Sequence, residues 1–253
     1  MELELSNKNV LVLGSSKGIG RAIVLEFAKE NANIVAVART EELLVSLKQE
    51  CLELGAKSFN YEVMDATIKN ANELAKCLLD KYHHFDAIVH CVGTSLVSRN
   101  INGGYTDWEE ALRINALAAI DMNSVFVPHM IENNIKGHII HISSISGHYL
   151  RGNPLYASSK AFLNAYVTTA GRELASKGII LNAVMPGAVA FEGSYWDKLI
   201  KEGNPKCEDF LKHHQAIGRF GAPEEIAPLV VFLASDKSSF MPGAVIDISG
   251  GNM

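Results

Sequence analysis

Residues 10–27 read VLVLGSSKGIGRAIVLEF, an apolar run that passes through a glycine-rich turn into a segment with helical spacing. A buried strand, a tight turn and a helix in direct succession are typical of the first unit of a nucleotide-binding α/β fold. The glycines would let the backbone approach a phosphate, to which the helix N-terminus offers free N–H groups. The spacing Gly14-x-x-x-Gly18-x-Gly20 differs from G-x-G-x-x-G, so a turn that serves only strand–helix packing is the alternative interpretation.

Apolar runs that fit buried strands alternate with helical segments along the rest of the chain. We expect strands at 9–14, 33–38, 85–93, 137–143, 178–185 and 243–249, with a weaker candidate at 57–65. Helical spacing predicts helices at 20–30, 41–54, 71–82, 107–131 and 155–177. Strands that are apolar on both faces and alternate with helices indicate a doubly wound parallel sheet with helices on both faces. The sequence therefore predicts an α/β chain, a single Rossmann domain over 1–253, in which the irregular segment around 187–218 is a mobile substrate lid.

Composition and charge narrow the class of protein. The chain has 253 residues, of which 48% are hydrophobic, and a formal net charge of −5. It contains no block of Lys and Arg to bind a nucleic acid, and no uninterrupted apolar stretch approaches the roughly 20 residues of a membrane span. The four cysteines are scattered, and neither they nor the nine histidines have metal-ligand spacing, so we expect reduced thiols and no metal site. Together with an acidic N-terminus unlike a signal peptide, these features predict a cytoplasmic protein whose substrate is a small molecule.

The end of the second predicted strand bears on the cofactor. Folds that bind NAD usually place an acidic residue there, which accepts hydrogen bonds from the adenosine ribose. The sequence at this point is Val-Ala-Arg39-Thr40, without a carboxylate, and Lys17 lies in the glycine-rich turn. Two cations around a ribose pocket favour an extra 2′-phosphate, so we predict NADP(H) rather than NAD(H). The alternative is that Arg39 and Lys17 are ordinary solvated charges.

The stretch SSISGHYLRGNPLYASSK, residues 143–160, suggests proton-transfer chemistry. In a helix, Tyr156 and Lys160 lie on the same face, where the cation stabilises the charged form of the phenol. Ser144 offers a hydroxyl that both donates and accepts hydrogen bonds, as an oxygen that alternates between carbonyl and alcohol requires. A Tyr-x-x-x-Lys pair arises easily by chance, so a purely structural role is the alternative, and Ser143 and Ser146 compete with Ser144.

These motifs, taken in order, resemble the short-chain dehydrogenase/reductase family, in particular 3-oxoacyl-carrier-protein reductases and sugar and polyol dehydrogenases of the single-domain type. The resemblance rests on SSKGIGRA, on Asp65 and Asn115, on IHISSISG, YASSK and NAVMPG, and on the ending RFGAPEEIAPLVVFLASDKSSFMPGAVIDISGG. It implies that Tyr156 is the catalytic acid/base, that Lys160 lowers its pKa and holds the nicotinamide ribose, and that Ser144 binds the substrate oxygen. Asn115 would hold a water that links Lys160 to solvent, unless it is only a core amide.

The same resemblance implies a set of cofactor-binding residues, with Asp65 at the adenine and Pro186-Gly187 beside the nicotinamide. The set is Gly14, Ser15, Ser16, Lys17, Gly18, Ile19, Gly20, Arg39, Thr40, Asp65, Ala66, Cys91, Gly93, Tyr156, Lys160, Pro186, Gly187 and Val189. The chain departs from the family pattern at Leu13, at His90-Cys91-Val92-Gly93 and at Phe191, where Thr, Asn-Asn-Ala-Gly and Thr are usual. The loop between Ser144 and Tyr156 is also one residue shorter than is common.

The substrate is less clearly indicated. His148, Arg151 and Glu192 fall in the predicted loop and lid and favour a polar or anionic substrate, such as a keto-sugar or sugar nucleotide. The alternative is that Arg151 faces the solvent or a neighbouring subunit. We therefore expect an NADP(H)-dependent oxidoreductase acting on a ketone or secondary alcohol, with a 3-oxoacyl-thioester reductase or a non-catalytic cofactor sensor as alternatives. The family's usual assembly implies a homotetramer, or a homodimer.

Overall fold

A computed structural model of the chain describes residues 2–95 and 102–252. Within them, strands form a single seven-stranded sheet in the order β3-β2-β1-β4-β5-β6-β7, and every neighbouring pair is parallel. The predicted strands are confirmed, although the fourth is shorter than 85–93. Their bounds are β1 Asn9–Leu13, β2 Asn33–Ala38, β3 Ser58–Val63, β4 Ala87–His90, β5 His138–Ile142, β6 Ile180–Pro186 and β7 Val245–Ile248.

Helices cover both faces of this sheet, as predicted. The five predicted helices are confirmed, and α6, α8, α9 and α10 are additional. Their bounds are α1 Gly18–Lys29, α2 Glu41–Leu54, α3 Ala71–Tyr82, α4 Tyr105–Leu112, α5 Ala118–Glu132, α6 Ser146–Tyr149, α7 Pro154–Ala175, α8 Tyr195–Lys201, α9 Lys206–His214 and α10 Pro223–Leu233.

Strand β1 shows why its sequence is apolar throughout. Val10 and Val12 pack into the layer formed by α1, α2 and α10, whereas Leu11 and Leu13 pack into the layer formed by α3, α5 and α7. All four side chains are fully buried. Since alternate residues of a strand point to opposite faces, a strand between two helical layers has no exposed face to carry polar residues.

Helices α4 and α5 form one continuous helix from Tyr105 to Glu132, which contains a π-helical turn at Arg113–Leu117. By length and a mean hydropathy of 1.2 this helix could cross a membrane. In this fold it connects β4 to β5 and packs against α3 and α7. Single turns of π-helix occur mostly at functional sites, and this one carries Asn115.

The segment 187–218 is more regular than the sequence predicts, because it contains α8 and α9. Helix α8 begins at Ser194, whose Oγ accepts a hydrogen bond of 3.1 Å from the N–H of Asp197. The Trp196 ring centroid lies 4.5 Å from that of Phe210 and 4.8 Å from that of Phe220. These aromatic contacts hold the two helices together, and their function as a lid stays a prediction.

Candidate active site

The predicted site residues meet at one edge of the sheet, where the parallel strands have their carboxyl ends. Ser144 follows β5, and Tyr156 and Lys160 lie one turn apart at the start of α7. The local sequence fixes that start, because Asn153 Oδ1 accepts the N–H of Leu155 at 3.0 Å and Pro154 occupies the first helical position.

The Ser144 hydroxyl acts on the Tyr156 phenol, and hydrogen bonding from Ser144 lowers the pKa of Tyr156. The Ser144 Oγ also accepts the N–H of Ser146 at 3.1 Å, which leaves its own proton available for the phenol. Burial raises the pKa of the Tyr156 phenol above its ordinary value, and the hydrogen bond from Ser144 offsets part of that rise. Ser144, rather than Ser143 or Ser146, is therefore the serine that contacts the candidate acid/base.

Lys160 is 2% exposed and donates a hydrogen bond of 2.8 Å to the carbonyl oxygen of Ile142. Burial lowers the pKa of its ammonium to about 8. Its Nζ lies 6.0 Å from the ring centroid of Tyr156. The shift of the Tyr156 pKa is therefore opposite to the lowering by Lys160 that the resemblance implies: desolvation of the phenolate is the largest cause, and the group that lowers the pKa is Ser144.

Asn115 lies in the π-helical turn and is 2% exposed. Its Nδ2 donates to the carbonyl of Ala111 at 3.0 Å, and its Oδ1 accepts the N–H of Thr94 at 2.9 Å. The amide thus ties the π-helical turn to the loop after β4. The water that the resemblance assigns to Asn115 stays a prediction.

The glycine-rich turn folds back tightly on itself. The N–H of Gly14 donates to the carbonyl of Val37 at 2.8 Å, and Ser15 donates to the same carbonyl through its N–H and its Oγ. A Cβ on Gly20 would lie 2.1 Å from the carbonyl oxygen of Gly14, so no larger residue fits there. Helix α1 begins within this turn, at Gly18, with no side chain capping its N-terminus. Free N–H groups on a glycine-lined cradle fit the phosphates of a dinucleotide.

Phe191 adds an apolar wall to this cradle. Gly18 has φ +56°, and a Cβ there would lie 2.5 Å from the Phe191 ring. The departure from the usual Thr therefore places an aromatic ring directly over the glycine-rich turn. Val189 forms a bridge with Gly221, which closes the base of segment 187–218.

Arg39 and Asp65 lie together at the ends of β2 and β3. The Arg39 side chain is 75% exposed, and its Nη1 is 4.0 Å from Asp65 Oδ2. Burial opposes ionisation of Asp65, but hydrogen bonds from Thr67 and the charges of Arg39 and Arg113 together lower its pKa. The exposed Arg39 guanidinium, at the long limit of an ion pair with Asp65, is accessible to a phosphate from the solvent side.

The other predicted cofactor residues lie in loops and turns at the same edge. Gly93 is the closest to the catalytic group, since a Cβ there would lie 3.1 Å from Lys160 Nζ. Gly187 packs equally tightly, because a Cβ there would lie 2.7 Å from the carbonyl oxygen of Ser249. The remaining members are Ser16, Lys17 and Ile19 around the start of α1, Thr40 before α2, buried Ala66, Cys91 after β4 and Pro186 at the end of β6.

The candidate substrate residues divide into two groups. His148 lies on α6, and Arg151 follows it, with its Nη1 3.3 Å from Nδ1 of His214 on α9. That contact joins the loop after Ser144 to the predicted lid. Glu192 is exposed, and its charge contributes to raising the pKa of Lys201. Among residues 2–95 and 102–252, no group of His, Cys, Asp and Glu side chains is arranged to hold a metal ion.

Sequence reasoning missed two polar contacts that support the site. Ser143 Oγ donates to Asn164 Oδ1 at 2.5 Å, and Asn164 lies one turn after Lys160. The spacing of four residues could have indicated that Asn164 shares the inward face of α7. The buried pair His90 and His141 was also missed as a pair, because the sequence does not show which strands are neighbours.

Comparisons with known proteins agree along the whole chain. A family model described as Enoyl-(Acyl carrier protein) reductase matches residues 14–252. The chain is 33% identical over 252 residues to a 3-oxoacyl-[acyl-carrier-protein] reductase of Thermotoga maritima, covering 98% of this chain and 99% of that protein.

Solved structures give the same fold. L-sorbose reductase of Gluconobacter frateurii, complexed with NADPH and L-sorbose, has a TM-score of 0.89 at 26% identity and covers 99% of this chain and 98% of its own. A 7α-hydroxysteroid dehydrogenase, complexed with NADH and 7-oxo glycochenodeoxycholic acid, has a TM-score of 0.88 at 26% identity and covers 100% of this chain and 96% of its own. The chain belongs to the short-chain dehydrogenase/reductase family, and it is an NAD(P)-dependent oxidoreductase that acts on CH–OH and C=O groups.

Proposed function

We propose that the protein reduces a ketone, or oxidises the corresponding secondary alcohol, with NADP(H). The observation that carries the proposal is the position of Tyr156, whose ring centroid lies 6.0 Å from the buried ammonium of Lys160 and whose phenol Ser144 acts on. Tyr156 donates a proton to the substrate oxygen during reduction and accepts one during oxidation. Ser144 orients that oxygen and the phenol together. A bound nicotinamide dinucleotide supplies or accepts the hydride, which is the part of the chemistry that no side chain can perform.

Lys160 supports this proton transfer by electrostatics. A positive charge near the phenol favours the phenolate that forms during reduction. The carbonyl of Ile142 holds the ammonium in place. Gly93 lets the backbone approach this ammonium closely, since a Cβ there would lie 3.1 Å from Lys160 Nζ, and Lys160 would hold the ribose hydroxyls of a bound cofactor.

Ketone reduction is a better proposal than enoyl reduction, which the description of the family model names. In the enoyl-reducing branch the resemblance implies a wider spacing between Tyr and Lys than the four residues found here. Position 163, seven residues after Tyr156, is Leu, and its side chain is 2% exposed in the apolar core. No second Lys is therefore available on that face of α7 to replace Lys160.

We propose NADP(H) because Arg39 and Thr40 follow β2 and Lys17 precedes α1, at the edge of the sheet where the 2′-phosphate is expected. Asp65, the acidic partner of Arg39, is also engaged with Thr67. The sorbose reductase was solved with NADPH and the steroid dehydrogenase with NADH, so the family alone does not decide. The charge on Arg39 is therefore the feature that we expect to favour NADP(H) over NAD(H).

Replacing Arg39 with Ala is expected to raise the KM for NADPH about 10- to 100-fold, the value of one or two charge-assisted hydrogen bonds. The KM for NADH is expected to change less than about threefold, because NADH lacks the phosphate. Lys48→Ala, on the exposed face of α2, is the control and leaves both values unchanged. Equal changes for NADPH and NADH in Arg39→Ala would contradict the assignment.

For the substrate, we propose a polar or anionic ketone such as a keto-sugar. The loop after Ser144 makes polar contacts with β7 and with segment 187–218, where we expect the opening of the site. The Tyr149 hydroxyl donates to Asp247 Oδ2 at 3.0 Å, and Arg151 contacts His214. A cationic side chain at this opening would bind a phosphate or carboxylate of the substrate.

Arg151→Ala is expected to raise the KM for a phosphorylated keto-sugar about tenfold or more, and to change the KM for the neutral sugar by less than about twofold. Steady-state kinetics with the two matched substrates measure this. Arg172→Ala, an exposed position near the end of α7, is the control. A similar rise for both sugars would mean that Arg151 only supports the loop.

A 3-oxoacyl thioester is the second candidate, because the Thermotoga maritima relative bears that name. The aromatic cluster of Trp196, Phe210 and Phe220 gives segment 187–218 apolar surface that suits an acyl chain. A screen with both cofactors against keto-sugars, keto-acids and 3-oxoacyl thioesters separates the two. A kcat/KM at least about tenfold higher for the thioester would replace the sugar proposal.

We also propose that segment 187–218 closes over the substrate and that the chain is cytoplasmic.

We propose further that the chain assembles as a homotetramer, with a homodimer as the alternative. Three partly exposed apolar residues would be covered by a contact between helices of two subunits: Leu117 and Ile131 on the long helix, and Phe162 on α7. Sedimentation equilibrium measures the assembly.

A further inference from the structure

Arg113 joins the π-helical turn to the loop that follows β3. It is the first residue of that turn, and its Nη1 donates a hydrogen bond to the carbonyl oxygen of Thr67, in the loop between β3 and α3. The Arg113 side chain is only 24% exposed, although arginine is mostly a surface residue. A guanidinium that is partly removed from water and bonded to one backbone carbonyl holds the loop at that point.

Thr67 in turn holds the carboxylate of Asp65. The N–H and the Oγ of Thr67 both donate to Asp65 Oδ1, at 2.9 and 2.7 Å. The other carboxylate oxygen, Oδ2, lies 4.0 Å from Arg39 Nη1. Burial raises the pKa of Asp65, but the hydrogen bonds from Thr67 and the charges of Arg39 and Arg113 outweigh it, so the carboxylate is ionised at neutral pH.

The position of Asp65 indicates which group of a dinucleotide it would meet. Asp65 follows β3 and Arg39 follows the neighbouring strand β2, at the edge of the sheet where the adenosine is expected. An ionised carboxylate only accepts hydrogen bonds, so its partner in the cofactor must be a donor. The adenosine of NADPH offers the amino group of adenine and one ribose hydroxyl. That hydroxyl stands beside the 2′-phosphate, which repels a carboxylate, so the amino group is the better partner.

A second bridge spans the same gap at the surface. Lys69, in the loop between β3 and α3, lies 3.2 Å from Glu109 on α4, and 70% of the Lys69 side chain is exposed. Arg113 itself lies 4.0 Å from Glu110, also on α4. Exposed ion pairs of this kind contribute little to stability. The contact with the Thr67 carbonyl is therefore what sets Arg113 apart, and Lys69 supplies a matched control.

We propose that Arg113 is a positioning residue for the adenosine of the cofactor: through the Thr67 carbonyl it holds the Asp65 carboxylate where that carboxylate accepts a hydrogen bond from the adenine amino group. This inference deepens the proposed function and rests on it. Arg113 then determines how well the site distinguishes adenine from a base that lacks the amino group, and it does so by acting on Asp65.

The test compares NADPH with deamino-NADPH, in which hypoxanthine replaces adenine and the amino group is absent. Both contain the fluorescent dihydronicotinamide, so each Kd is measured by fluorescence titration without turnover. The wild type is expected to bind deamino-NADPH about 10- to 100-fold more weakly than NADPH, the value of one hydrogen bond to a charged group. In Arg113→Met the Kd of NADPH should rise until this ratio is below about threefold, while the Kd of deamino-NADPH changes less than about threefold.

Further variants separate positioning from a general loss of structure. Arg113→Lys keeps a charged donor and is expected to restore the ratio to at least about fivefold, whereas Lys69→Met should match the wild type. Adding Arg113→Met to Asp65→Ala should change neither Kd further, because Arg113 acts through Asp65. If thermal unfolding shows that Arg113→Met does not fold, Arg113→Gln replaces it with the same expectations, since its shorter amide carries no charge.

An equal rise of both Kd values in Arg113→Met overturns the proposal, because Arg113 would then only stabilise the loop and the π-helical turn. An unchanged ratio in that variant also overturns it, and so does a loss of the same size in Lys69→Met. A wild type that binds NADPH and deamino-NADPH equally well overturns this inference and leaves the proposed function standing. A wild type that binds neither overturns the proposed function, and this inference with it.

Discussion

Replacing Tyr156 with Phe is expected to lower kcat by about 10²- to 10⁴-fold, the usual contribution of a positioned acid/base group. The substitution removes one oxygen and keeps the ring, so the affinity for NADPH should change less than about twofold. The expected loss follows from the position of the Tyr156 phenol beside Ser144 and Lys160, which makes its oxygen the proton-carrying atom of the proposed mechanism. Single-turnover kinetics with saturating cofactor measure the chemical step directly.

Tyr82→Phe is a suitable control for that experiment. The Tyr82 hydroxyl also makes a short side-chain hydrogen bond, 2.6 Å to Glu62 Oε1, but it lies at the end of α3, far along the chain from the motif. Its loss should reduce stability slightly and leave kcat unchanged. Turnover by Tyr156→Phe within about tenfold of the wild type would refute the assignment of the acid/base and leave only the nucleotide-binding fold.

The second large effect is expected at Gly20. In Gly20→Ala the new Cβ would lie 2.1 Å from the carbonyl oxygen of Gly14, a backbone atom that cannot rotate away. Relieving the clash means opening the glycine-rich turn, so we expect a loss of about 3 kcal/mol or more in the free energy of unfolding. Because the same turn forms the phosphate cradle, NADPH binding should become undetectable. Urea denaturation and fluorescence titration measure the two effects.

Gly104→Ala provides the matched control, since a Cβ there meets no atom within 4 Å and the backbone has φ −77°. It should change the free energy of unfolding by less than about 1 kcal/mol, because alanine restricts the unfolded chain but caps the N-terminus of α4 less well than glycine. Normal NADPH binding by Gly20→Ala would show that the turn is not the cradle.

The pattern of the sequence predicts the sheet and the catalytic pair because both depend on short-range spacing. Strands that are apolar on both faces, such as β1, can be recognised from the sequence alone. Residues four apart on α7 must lie on the same face of the helix. The sequence analysis does not predict α10, although Pro223 and two glutamates mark its start. Pro228 interrupts the helical pattern of apolar residues there. Helices α8 and α9 are short, and the aromatic contacts that hold them together are tertiary.

Other features of the site could not be predicted, for reasons of energy rather than pattern. Charge alone predicts that Lys160 lowers the pKa of Tyr156. In the structure, burial determines the direction of the shift and raises that pKa. The sequence shows that His90 and His141 are polar residues within apolar strands. In the structure their rings stack and Asn123 bridges them, and both contacts depend on the pairing of β4 with β5 and on which face of α5 is turned inward.

The order of the strands also determines how the chain must fold. Strand β1 pairs with β4, and beside that pair the N–H of Asn9 donates to Asp86, 77 residues away. Contacts between such distant residues form slowly, because a long loop must close first. During synthesis on the ribosome, one edge of β1 therefore stays open until β4 has emerged, and an open apolar strand is a site for aggregation. We expect truncated chains that end before residue 85 to aggregate, and the complete chain to depend on chaperones more than a helical protein of the same length.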